Sequence, residues 1–69
     1  MTMKDVDAAW DRYTRMKERA EQHDFPDILW HDLRFGPLYE DLRKNFTEEH
    51  AVRFVDALNS YVDHMGYGV

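Results

Sequence analysis

The stretch TEEHAVRFVDALNSYVDHM, Thr47 to Met65, decides the fold class of this chain. Ala51, Phe54, Val55, Leu58, Tyr61, Val62 and Met65 recur at steps of three and four, which places them on one stripe of a helix. Arg53, Asp56, Asn59, Ser60 and Asp63 take the opposite side. Thr47 suits the N-cap, Glu48 and Glu49 put negative charge at the positive end of the helix dipole, and Gly66 suits the exit. A stripe this wide needs cover, and the residues before it must provide it.

The same periodicity predicts a long first helix, from about residue 3 to 22. Val6, Ala9, Tyr13, Met16 and Ala20 form its apolar stripe, with Met3 and Trp10 beside it. Thr2 and Asp5 have the spacing of a capping box. Acids come early (Asp5, Asp7, Asp11) and bases late (Arg12, Arg15, Lys17, Arg19), which matches the dipole at both ends.

Between the two lies the aromatic-rich stretch Phe25–Phe46. Phe25 precedes Pro26, which suits the first position of a helix because its missing N–H has no partner there anyway. Ile28, Leu29, Trp30, Leu33 and Phe35 favour a short helix over about 26–35. Gly36-Pro37 reads as a break, with Leu38, Tyr39, Leu42 and Phe46 marking a second short helix over about 37–45. The expected fold is therefore all-α, one domain over residues 1–69: a small helical bundle of two long, antiparallel helices joined by two short ones set at an angle.

Composition limits the functions open to such a bundle. A chain of 69 residues without cysteine has no disulfide and no thiolate metal site, and its core is small. No hydrophobic export segment and no membrane span is visible, so a cytoplasmic location is expected. His23, His31, His50 and His64 invite a metal reading, with Asp27 and His31 four apart. There is no HExxH and no CxxC, and the expectation is no metal and no cofactor. Ser60 and His64 are also four apart, but nothing pairs them with a pocket. The carboxylate pairs Glu40/Asp41 and Glu48/Glu49 fall in helix first turns, where the dipole explains them. No catalytic residue is assigned and an enzyme is not expected.

Arg12, Arg15 and Arg19 share a helix face, which leaves a small DNA-binding regulator as the alternative function. Against it stand the net charge of −5 and the acids Glu40 and Asp41, which open the would-be recognition helix. The preferred reading is a protein-interaction module, acting as a homodimer or as a regulator or inhibitor docked on a larger protein. Small, acidic, cysteine-free phage or plasmid inhibitors and antitoxin-like proteins share this format, an analogy of size alone. Half of the aromatics crowd into residues 25–46, and Ile28, Leu29, Trp30 and Phe35 spread around most of a helix, which no core this small covers alone. Leu29, Leu33, Leu42 and Phe46 are assigned to the core. Trp30, Arg34, Phe35 and Tyr39 are the candidate contact residues, with Trp10 as a second centre.

Overall fold

The computed structural model describes residues 1–23 and 25–66. Among the described residues, three helices of equal length make up the fold: α1 (Met3–Glu21), α2 (Pro26–Lys44) and α3 (Glu48–Gly66). No strand occurs among the described residues. The stripes of α1 and α3 are buried as the periodicity requires. Val6, Ala9, Tyr13, Met16 and Ala20 face Ala51, Phe54, Val55, Leu58, Tyr61, Val62 and Met65 in one core. At the start of α1 the Thr2 N–H donates to Asp5 Oδ2 at 2.9 Å, so the capping acid works even with the shorter aspartate side chain. The Thr47 carbonyl accepts from the Ala51 N–H at 2.9 Å, as an N-cap carbonyl does. Phe25 is extended before Pro26, as a residue preceding proline should be. Tyr67, which the sequence allows to fold back on the core, lies outside the described residues.

The middle of the chain differs from expectation. Residues 26–35 and 37–45 are not two short helices but one, running through Gly36 and Pro37 to Lys44. Two physical reasons make this possible. Gly36 has no Cβ to meet the proline ring, which removes part of the clash that drives a pre-proline residue out of the helical region. Ile28, Phe35 and Leu42 lie on one face of α2, on both sides of Pro37, and all three are buried. Burying a large apolar side chain contributes ~1.5–3 kcal/mol, so three together outweigh the ~3 kcal/mol cost of an internal proline. Pro37 itself is exposed, where its missing donor is least costly.

A full-length α2 also corrects the topology. The first and last helices are parallel, not antiparallel. The Met1 amino group meets Glu48, and Arg12 meets Asn59 and Asp63, so α1 and α3 advance together. α2 returns against both, with Tyr39 on Asp7 and Asp32 on Tyr13. The result is an up-down-up bundle of 34 × 19 × 15 Å.

Candidate protein-binding face

α2 carries apolar side chains on two opposite faces. Its inner face (Ile28, Phe35, Leu42) belongs to the core. Its outer face presents Pro26, Leu29, Trp30, Leu33 and Pro37, a spacing of i, i+3, i+4, i+7, i+11 that one helix side must share. Leu29 and Leu33 are each 70% exposed and Trp30 is 56% exposed, while Leu38, 50% exposed, lies off this face on a flank of the helix. Leu29, Leu33 and the 40%-exposed Phe46 are thus not core residues, contrary to the sequence assignment. The reason is the unbroken helix: with Ile28 and Phe35 turned inward, Leu29 and Leu33 can only turn outward.

The proposed contact residues divide between the two faces. Trp30 and Arg34 stay together on the outside, the Arg34 guanidinium 4.9 Å from the Trp30 ring centroid in a cation–π contact. Phe35 is buried, edge-on to Tyr13 at 5.7 Å and to Phe54 at 6.1 Å, and is a core residue. Tyr39 and Trp10 stack on each other at 4.5 Å and 8°, at the rim where α1 meets α2. The Tyr39 hydroxyl donates to Asp7 Oδ1 at 2.6 Å, and that bond, with burial, raises its pKa. Sequence reasoning missed Leu29 and Leu33 as members of the outer face. Their signal was the i, i+4 pair itself, read as if the helix had only one apolar side.

The inner edge of α2 is polar. Asp32 takes the Tyr13 hydroxyl at 2.5 Å on one oxygen and Lys17 Nζ at 3.1 Å on the other. Burial, then the bond to Asp32, pushes the Tyr13 pKa far up, so the hydroxyl remains a donor throughout the neutral range.

Among the described residues, no three His, Asp or Glu side chains converge as metal ligands. Ser60 and His64 are both exposed. Two arginines of the basic face of α1 are engaged, Arg12 with Asp63 and Arg15 with Asp11 at 3.0 Å; Lys17, on another side of the helix, pairs with Asp32 at 3.1 Å. Since Pro26–Lys44 is one helix, it contains no turn to set off a recognition helix. No described helix is long and apolar enough to cross a membrane. Comparison with protein families, with curated proteins and with solved structures finds no match to this chain.

Proposed function

We propose that this chain is a non-enzymatic protein-interaction module that docks through the outer face of α2 on a larger protein, as a regulator or inhibitor. One observation carries the reading: Leu29, Trp30 and Leu33 stand in solvent on the side of α2 that the bundle leaves bare. Two leucines at 70% exposure, next to a tryptophan, gain from being covered, and the spacing is that of a helix laid in an apolar groove. Trp30 with Arg34 over its ring supplies the residue types that carry most interface energy.

The size of the patch bears on the occupant. A handful of side chains covers a few hundred Å², about the ~300–600 Å² of the largest patch on a typical monomer. A stable dimer takes ~800 Å² from each partner, and two copies at −5 repel, so a homodimer through this face is the weaker form of the proposal. The DNA-binding alternative has less support, because two of the three arginines on its basic face, Arg12 and Arg15, already face carboxylates.

The test is a double variant, Leu29→Glu with Leu33→Glu, which charges the face without touching the core. Affinity capture from the native host with the wild type and the variant, after circular dichroism has matched their folds, gives the comparison. A protein held by the wild type and lost by the variant supports the reading. Identical captured sets, together with unchanged light-scattering masses, would end it.

A further inference from the structure

Two buried side-chain polar atoms among the described residues have no hydrogen-bond partner, and they sit on neighbouring rings. One is Nδ1 of His31 on α2, the other the hydroxyl of Tyr61 on α3. The ring centroids are 4.0 Å apart. The His31 ring also lies nearly flat against Phe35, at 5.6 Å and 20°, and edge-on to Trp30 at 5.1 Å. Aromatic carbon therefore encloses the inner nitrogen.

A neutral imidazole suits that enclosure. Unprotonated, Nδ1 carries no N–H that needs an acceptor, and the His31–Tyr61 contact is ring against ring, without a hydrogen bond. A second N–H at this nitrogen would be a buried donor on a charged ring, with water excluded. The charges facing His31 do not rescue it. On α2, Asp27 favours the imidazolium and Arg34 opposes it. Asp32, the next residue, is occupied by Tyr13 and Lys17 of α1, and the α3 ring packed on His31 is the neutral Tyr61.

We propose that His31 is a proton-operated catch: neutral, it holds the N-terminal half of α2 on α3, and protonated, it turns to water and frees that half of the helix. Trp30 and Leu33, which face outward from the same two turns, lose their rigid backing when the catch opens. Acid would thus act on the docking face from behind. The device is independent of what the face binds, and its test needs no partner.

The direction of the pH effect follows from the burial of the ring, which, ahead of Asp27, lowers the His31 pKa below its ordinary 6.5. As pH falls through that ordinary value the unfolded chain takes up the proton first, so stability drops. The loss is complete once the pH is below the folded value. An imidazole titration of the intact wild-type protein by NMR gives the primary readout. The expected midpoint for His31 lies below 6.5, with amide-exchange protection over residues 28–35 falling in step while α1 and the core of α3 keep theirs. His31→Phe, which fills the aromatic enclosure but cannot be protonated, should flatten the fall in thermal midpoint between about pH 7.5 and 5.5. A His31 midpoint at or above 6.5 overturns the proposal. So does a stability loss over that range that is the same in wild type and variant. If the variant does not fold, the wild-type titration and exchange data decide alone.

Discussion

Phe35 and Leu33, two positions apart on one helix, show how differently the same kind of residue is used. Phe35 touches Tyr13 of α1 and both Phe54 and Tyr61 of α3, so it ties three helices together. Truncation to alanine should cost ~3–5 kcal/mol of folding stability. Leu33→Ala, at a site 70% exposed, should change stability by no more than ~0.5 kcal/mol. Chemical denaturation of the two variants side by side checks the contrast, and equal losses would contradict the two-faced description of α2. The tyrosines make a second prediction at this scale. Burial raises Tyr13 and Tyr61, while Tyr39 is raised first by its bond to Asp7. Each therefore holds its proton in the folded state at a pH where the unfolded chain has released it. Their stabilisation is whole below about pH 10, the ordinary tyrosine value, and is lost as pH rises beyond it. Tyr13→Phe should show a shallower alkaline loss than the wild type when thermal midpoints are followed from pH ~9 to ~11. Which tyrosines were buried was legible from the stripes. That Tyr13 would meet Asp32 was not, because the partner lies on another helix.

Among the elements, α1 and α3 were readable because each has one apolar side, so periodicity alone fixes which face turns inward. α2 has two, and a helix with apolar residues front and back gives no single stripe to follow. The Gly36-Pro37 pair then looked like punctuation, although only local backbone preference argued for a break. Burial of Ile28, Phe35 and Leu42 along one line decided against it. A consequence can be measured. If α2 is continuous at Pro37, Pro37→Ala restores an N–H for the Leu33 carbonyl and relieves the ring clash, and should stabilise the protein by up to ~3 kcal/mol. A helix break there would instead give a neutral or destabilising result. Gly36→Ala is a weaker version of the same test. A Cβ at that position meets nothing within 4 Å, so helix propensity favours the change by ~1 kcal/mol, less the pre-proline clash it reintroduces.

At the scale of the molecule, three helices share one core through Tyr13, Phe35, Phe54 and Tyr61, so heat should unfold them in a single transition with a helical far-ultraviolet spectrum. Calorimetric and van't Hoff enthalpies that disagree would show that α2 comes away separately. All-helical class, two of the three helices and nearly all of their buried residues could be read from spacing. The direction in which α3 runs could not, because it depends on whether the chain crosses the bundle once or twice between the outer helices. The outer face of α2 was half legible. Its tryptophan and arginine stood out by residue type, whereas its leucines looked like any other core residues.

The parallel course of α1 and α3 has a mechanical consequence. The start of α1 and the far end of α3 lie at opposite ends of a body 34 Å long. A force drawn between Met3 and Met65 therefore slides α1 along α3 and loads their whole seam at once, including the Arg12 contacts with Asn59 and Asp63. An antiparallel pair pulled from neighbouring ends would open contact by contact, like a zipper. In an optical trap the bundle should yield abruptly, at a higher force through residues 3 and 65 than through residues 3 and 44. The second pair of handles peels α2 away from α1, one turn at a time.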